Sequence, residues 1–202
     1  MPQQNGSAVD DAVENGNSPT NDNHAKIIFG QWVVAVGTIF AAIATTQRTT
    51  IVEATRSDYS IYGNALEAAG NAIIADGIAE ASPDRTGTYI QTFGNITALY
   101  ADIADIPDDE EITLNIKAAL IEALGTSYAI FGSEPLDDPS RFETISLYGG
   151  LLQLFGNFFE AFGGFIELRG GEGETFFEIG TILQAIGSIL TAVFYEGDGE
   201  RF

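Results

Sequence analysis

The sequence predicts an all-α protein, a bundle of about six helices that pack closely as antiparallel hairpins. Three observations carry this prediction: long apolar stretches between compact breaks, no sustained alternation of apolar and polar residues, and glycines that recur every seven residues. The chain has 202 residues, enough for one domain with a sizeable core. We expect a disordered polar leader at 1–24, a single helical repeat domain at 25–196 and a frayed tail at 197–202.

Short breaks rich in Pro, Gly and Asp divide the domain into six predicted helices. The main breaks are Ser82-Pro83-Asp84, Ile106-Pro107-Asp108, Ser133-Glu134-Pro135 and Arg169-Gly170-Gly171. Between them, the predicted helices span about 25–46, 58–81, 84–105, 108–131, 138–169 and 173–195. Residues 47–57 fit either a loop or an extension of a neighbouring helix.

Local signals justify individual helix ends. Four acids at 108–111 lie at the predicted start of the fourth helix, where the positive end of the helix dipole favours them. Gly132, followed by Pro135, is typical of a helix end. Asp138 and Pro139 fit the N-cap and first position of the fifth helix.

Glycines spaced by seven dominate the sequence and account for fifteen of its 23 glycines. On helices, this period places them on one stripe. We interpret Gly132 and Gly170 as helix caps. The predicted helix-packing residues are Gly30, Gly37, Gly63, Gly70, Gly77, Gly87, Gly94, Gly125, Gly149, Gly156, Gly163, Gly180 and Gly187.

An interior glycine costs about 1 kcal/mol relative to alanine, so close helix–helix approach must offset the loss. One source of that offset is a large side chain of a neighbouring helix that fills the space left by a missing glycine side chain (a glycine notch). The candidates are Phe155, Phe158, Phe159, Phe162 and Phe165. The second and fifth positions of each seven-residue unit are polar, and five positions are apolar or small. Such helices must be buried on two or more sides.

The run from Gly63 to Gly77, GNALEAAGNAIIADG, resembles a family of small uncharacterised microbial proteins described only as repetitive. The segments Gln153–Gly156 and Gln184–Gly187 have the same character, and the resemblance covers about 28–190. It implies tandem helices with Gly-Asn and Gln-Ala heptads and no catalytic residue. The acidity and the polar leader of this chain depart from that family.

The charge and the cysteine count exclude several classes of protein. With 29 acids against 8 Lys and Arg, the formal charge of −21 excludes an ordinary nucleic-acid binder. The absence of cysteine excludes disulfides, thiolate catalysis and cysteine-based metal sites. An anionic surface over a foldable core is typical of a protein adapted to high salt, where the Debye length falls to about 3 Å at 1 M.

No candidate site in the sequence has strong support. Four glutamates (Glu67, Glu122, Glu160 and Glu167) could bind paired metals, but no predicted helix contains the required His, so a solvated polar strip explains them better. Helix capping explains the acids Asp102, Asp105, Asp108 and Asp109 better than a calcium loop. The sequence Gly170–Glu174 reads as a turn, and His24, the single His, falls in the predicted leader. Trp32 and the other aromatic residues are most simply core.

The sequence therefore predicts a cytoplasmic, non-enzymatic, structural or self-associating repeat protein that binds itself and needs no cofactor or metal. We expect no nucleic-acid partner and no small-molecule substrate. The alternative is a membrane-associated or integral membrane helical protein, because Ile27–Gln47 is uncharged and long enough to span hydrocarbon. A third hypothesis is a carrier of apolar ligands in a cavity left by the glycines.

Overall fold

The computed structural model describes residues 19–46, 51–79, 81–132 and 141–195, and these form six α-helices and no strand. The predicted all-α class is therefore confirmed. The helices are α1 (Pro19–Thr45), α2 (Glu53–Gly77), α3 (Pro83–Ile103), α4 (Asp108–Gly132), α5 (Arg141–Glu167) and α6 (Glu174–Phe194).

The largest differences from the predicted bounds are at the starts of the first two helices. Helix α1 begins at Pro19 rather than near 25, since a proline suits the first position of a helix. His24 therefore lies in α1, where it stacks on Tyr195 at 5.6 Å between ring centroids. Helix α2 begins at Glu53, so part of the ambiguous segment is helical. The remainder of the predicted leader, residues 47–50 and the tail lie outside the described residues.

Caps fix the helix ends that the sequence punctuates. The Ser82 hydroxyl accepts a hydrogen bond of 3.1 Å from the Arg85 backbone N–H, and Pro83 opens α3. Gly170 has a φ of 76°, a left-handed conformation that glycine adopts without strain, and it follows the end of α5. The predicted cap at Asp138 and Pro139 lies outside the described residues.

The six helices form a closed ring. Each helix contacts only its two neighbours in the chain, and α6 returns to pack on α1. Because no helix crosses the ring among the described residues, side chains alone line the axis. The most extensive packing is within the hairpins α1–α2, α3–α4 and α5–α6. The ring is therefore an assembly of three similar hairpins.

Inside each hairpin, glycines face glycines. Gly30 lies opposite Gly70, and one heptad later Gly37 lies opposite Gly63. A methyl group at Gly37 would lie 2.8 Å from the Gly63 carbonyl oxygen, so the two backbones touch. The other hairpins repeat this arrangement with the pairs Gly87/Gly125, Gly149/Gly187, Gly156/Gly180 and Gly163/Gly173. The seven-residue period thus keeps two antiparallel helices in register.

Between hairpins, side chains make the contacts. Helix α2 meets α3 through Asn71, whose amide donates a 3.0 Å hydrogen bond to Asn95. Helix α1 meets α6 through two hydroxyl pairs, Thr38 with Ser188 and Thr45 with Thr181, each at 2.6 Å. Helix α4 meets α5 through an apolar cluster of Ile116, Ala119, Ala161 and Ile112.

The polarity of the ring is the reverse of that of an ordinary soluble bundle. The described chain exposes 26 large apolar side chains, 24 of them in the helices, and it buries only Ile27, Val34, Ile74, Ile116 and Leu154. The remaining buried apolar residues are alanines, beside a set of buried polar side chains. The expectation that Trp32 belongs to the core is wrong, since its side chain is 45% exposed. The large apolar side chains that the sequence predicts for the interior therefore lie on the outer surface.

Candidate functional site

Two cavities with both polar and apolar lining residues lie on the ring axis. The first, which we call the carboxylate cavity, has a volume of about 150 Å³ and takes lining residues from all six helices. Its acidic and amide residues include Glu67, Asp102, Glu122, Glu160 and Gln184. The second has a volume of about 190 Å³ and is also lined from all six helices, with Asp84 and the glutamines Gln31, Gln91 and Gln153 in its wall.

Glycine notches position the three glutamates of the carboxylate cavity. A methyl group at Gly37 would lie 2.7 Å from Cγ of Glu67, and one at Gly180 would lie 2.6 Å from Cγ of Glu160. Gly94 meets the Glu122 side chain in the same way. Each glutamate lays its methylene stem across the glycine of the partner helix. The glycine stripes therefore position the glutamate side chains as well as allowing the helices to pack closely.

The acids differ in their hydrogen-bond partners. The Gln184 amide donates to Oε1 of Glu160 at 2.7 Å and to Asn157 at 2.8 Å. Glu122 lies within hydrogen-bonding reach of the Asn95 amide.

Asp102 is also well satisfied, since its Oδ2 accepts bonds of 2.8 Å from both Ser60 and Asn64. Glu67, whose side chain is only 5% exposed, makes no hydrogen bond with any described residue. One acid of the cavity is therefore left without a donor.

All the charged residues that line the carboxylate cavity are acidic. Glu67, Glu122 and Glu160 lie close enough to repel one another, and no Lys or Arg is among the residues that line the cavity. Burial removes the hydration that stabilises a carboxylate, so the cavity needs a proton or a cation to neutralise its charge. Within the described residues, no three acids or His are close enough to chelate a metal ion directly.

The expectation of a solvated glutamate strip is wrong for three of its four residues. Glu67 is buried, and Glu122 and Glu160 are partly buried, because the strip faces the ring axis. Glu167 ends α5 outside the cavity. Of the acids suggested for calcium, Asp102 lines the cavity, whereas Asp108 and Asp109 lie in the exposed first turn of α4 and Asp105 in the preceding loop.

The structure places the predicted helix-packing glycines at helix–helix contacts. Eleven of the thirteen lie within the glycine-lined faces of the hairpins described above, and Gly94 meets the α4 backbone at Ala118. Gly77 meets Ile27 of α1. The suggestion that phenylalanines of α5 fill the notches is wrong: Phe155, Phe158, Phe162 and Phe165 are exposed, and the notches are occupied by partner backbone and side-chain stems.

Sequence reasoning missed the amides Asn95, Asn157 and Gln184 as site residues. A signal for them was present, because a residue four positions after a glycine shares its side of a helix and the next residue lies about 100° around, at the edge of that side. Asn157 follows Gly156 directly, and Gln184 follows Gly180 by four. If the glycines face a partner helix, these amides must lie beside that contact.

Two helices are long and apolar enough to cross a membrane, over Asn23–Thr45 and Glu174–Phe194. The first overlaps the uncharged stretch singled out in the sequence. Length and composition alone also fit the core helix of a soluble protein.

Comparison with known proteins identifies the family. Residues 25–192 match the model of the Family of unknown function (DUF6944), and the chain belongs to that family. No curated protein and no solved structure matches the chain significantly. The family carries no activity to transfer, so a function must be argued from the ring itself.

Proposed function

We propose that the protein is a non-enzymatic integral membrane protein whose helical ring, with its polar interior, lies in the bilayer and is anchored by α1 and α6, the two helices apolar enough to cross it. The observation that carries the proposal is the outward placement of 26 large apolar side chains around a ring whose interior holds alanines, glycines and polar groups. In water, this arrangement exposes far more apolar surface than a soluble monomer tolerates. In lipid, the same side chains contact apolar acyl chains, and their exposure carries no such cost.

Lipid accounts for the exposed surface better than a second copy of the chain does. A dimer interface covers one face of each partner. Here several exposed residues occur on each of five helices, for example Val36 on α1, Phe93 on α3, Leu124 on α4, Phe155 on α5 and Ile186 on α6, while α2 exposes Tyr62. A bilayer covers all of these faces at once. Helix packing through small residues is also common in membranes.

The helix lengths and the positions of the charges support the same proposal. The shortest helices have 21 residues, about 31 Å of helix, which matches the hydrocarbon thickness. Beyond the first and last two turns of the helices, the charged residues are Lys26, Glu67, Lys117, Glu122 and Glu160. The three glutamates line the axis, and Lys26 pairs with Asp76 near the helix ends.

Lys117 is the exposed charge that fits a bilayer least well. It lies six residues after Glu111, the last of the four acids that open α4, which corresponds to about 9 Å along the helix. A lysine at this depth extends its four-carbon stem to bring the ammonium group to the headgroup region. Exposed Tyr89 and Tyr100, on either side of Phe93 and Ile96, give α3 the aromatic flanks of a membrane helix.

Cysteine accessibility tests the proposal sharply, because the chain has no cysteine of its own. In a Phe93→Cys variant, the thiol replaces a side chain that is 65% exposed on the ring. We expect a polar maleimide to leave this thiol unlabelled in open membrane sheets and to label it after the membranes dissolve in SDS. Lipid, rather than protein, must then cover the site.

An Asp109→Cys variant is the matched control, because Asp109 is exposed in the first turn of α4. Its thiol should label fully in the same membranes. Recovery of the protein in the soluble fraction, with Phe93→Cys labelled as fast as Asp109→Cys, would contradict membrane insertion.

The second candidate is the self-associating cytoplasmic module, which the exposed apolar faces also favour. Under this alternative, the protein should remain in the soluble fraction after lysis in multimolar KCl, as a discrete oligomer by light scattering. Recovery in a carbonate-resistant pellet that detergent dissolves supports the membrane proposal instead. A carrier of apolar ligands has less support, because polar groups line both cavities.

A further inference from the structure

Glu67 poses a problem that the rest of the carboxylate cavity does not solve. Its carboxylate lines the cavity, its side chain is 95% buried, as its 5% exposure implies, and no described residue donates a hydrogen bond to it. Native proteins satisfy buried polar groups, and an unsatisfied one points to a ligand or water. The Glu67 carboxylate is not sealed from solvent, since Arg85 Nε is the one fully enclosed side-chain atom without a partner among the described residues, so the partner of Glu67, water or an ion, lies in the open cavity.

The groups around Glu67 define the chemistry of that partner. Glu122, Glu160 and Asp102 add negative charge, and no lining residue is basic. The other polar groups in the wall are the hydroxyls of Thr45, Ser60 and Thr181 and the amides of Asn64, Asn115 and Gln184. Such oxygen-rich, sulfur-free and imidazole-free surroundings suit a hard cation.

The size and spacing of the cavity favour a monovalent ion. A volume of about 150 Å³ holds one ion together with a few water molecules. Three acids or His do not converge on one point among the described residues, as a Ca²⁺ site built from side chains requires. Na⁺ and K⁺ carry half the charge of Ca²⁺, so water molecules can complete their coordination with fewer direct protein ligands.

We propose that the carboxylate cavity binds a partly hydrated alkali cation, Na⁺ or K⁺, with Glu67 as its principal protein ligand and Glu122 and Glu160 as neighbouring charges. The Gln184 amide donates hydrogen bonds to Asn157 and Glu160, so it holds Glu160 in place beside the ion. The site lies inside the ring and does not depend on whether lipid surrounds the protein. Its test can therefore fail while the membrane proposal stands, and the reverse.

Thermal unfolding of the purified full chain, in detergent if it comes from the membrane fraction, tests the site in different chlorides. NaCl and KCl are compared with choline chloride at the same pH and ionic strength, because the methyl groups of choline keep its charge from direct coordination by oxygen atoms. A ligand that binds only the folded state raises its melting temperature. At concentrations about 100-fold above Kd, we expect a rise of roughly 5–10 °C in NaCl or KCl over choline chloride.

Variants locate the site. Glu67→Gln should abolish the difference between alkali and choline salts, and Glu110→Gln, in the exposed first turn of α4, should keep it. A larger stabilisation in NaCl or in KCl identifies the preferred ion.

Equal melting temperatures of the wild type in all three salts would overturn the proposal and assign neutralisation of the acids to protons. A larger rise with millimolar CaCl₂ than with NaCl or KCl would overturn the monovalent assignment. The wild-type comparison decides the question even if Glu67→Gln fails to fold.

Discussion

Helices inside a hairpin contact one another through their backbones, whereas helices of different hairpins contact one another through side chains. Inside α5–α6, Gly149 and Gly187 bring two backbones into contact, and a methyl group at Gly149 would lie 2.7 Å from the Gly187 carbonyl oxygen. Between α4 and α5, Gly150 faces the end of the Ile130 side chain instead. Backbone cannot move aside without separating the helices, whereas a side chain can rotate.

The difference indicates a hierarchy in the fold. Each hairpin is specified by glycine pairs that allow one register, since a shift of one residue would place side chains against backbone. The joins between hairpins rest on side-chain hydrogen bonds and small apolar clusters, such as Thr38 with Ser188. We infer that the hairpin is the rigid unit and that the ring is the more adjustable assembly. The carboxylate cavity lies where three such units meet.

The adjacent glycines of α5 provide the sharpest test of this hierarchy. Gly149→Ala places a methyl group against the Gly187 carbonyl and 3.1 Å from the Thr191 backbone nitrogen, so the helices must separate. We expect a loss of about 2–3 kcal/mol in the free energy of unfolding, typical of overpacking. The loss should appear as a lower melting temperature of the detergent-purified protein.

Gly150→Ala is the matched control one residue away. Its methyl group meets only the Ile130 side chain, at 3.0 Å, and alanine regains up to about 1 kcal/mol of helix propensity. We expect a change within about 1 kcal/mol of the wild type. Equal losses in the two variants would show that backbone contact does not distinguish the two kinds of interface.

A smaller effect is expected where α1 and α6 meet. Thr38→Val removes the buried 2.6 Å hydrogen bond to Ser188 while keeping the shape of the side chain. The expected loss is about 1 kcal/mol, because an interhelical hydrogen bond contributes modestly even in membranes.

A double-mutant cycle with Ser188→Ala isolates this contact. The double variant should lose less than the sum of the single variants, since the first change already breaks the bond. Additive losses would mean that the two hydroxyls do not interact. Coupling between these residues, with little effect on the hairpin glycines, would support adjustable joins between rigid units.

The sequence was enough to predict the helices and the spacing of the contacts, because both depend on local chemistry. Breaks such as Ser82-Pro83-Asp84 end helices wherever they occur, and a seven-residue period places Gly30 and Gly37 on one stripe in any environment. The direction in which each stripe faces was not predicted. Periodicity defines a face of a helix, but it does not say which solvent lies outside.

The misplacement of Trp32 and Glu67 follows from that missing information. In water, a helix turns its bulky apolar face inward, and under that assumption Trp32 becomes core and Glu67 surface. The glycine stripe contradicts the assumption, because glycines in register must face a partner helix, and Glu67 lies four residues after Gly63 on the same side. Taken together, the two facts place the acid inside. The absence of a hydrogen-bond donor for Glu67 among the described residues is visible only in the assembled ring.

The smallest effect is expected at an ion pair inside a hairpin. Lys26 of α1 lies 2.7 Å from Asp76 of α2, and both side chains are largely exposed to solvent. Solvent screens such a pair, so Asp76→Asn should leave the melting temperature unchanged within error. The measurement is the unfolding assay applied to Gly149→Ala, with Lys26→Gln as the reciprocal variant. If Asp76→Asn destabilised the protein as much as Gly149→Ala, charge rather than backbone contact would hold α1 against α2. The hierarchy of rigid hairpins and adjustable joins would then lose its physical basis.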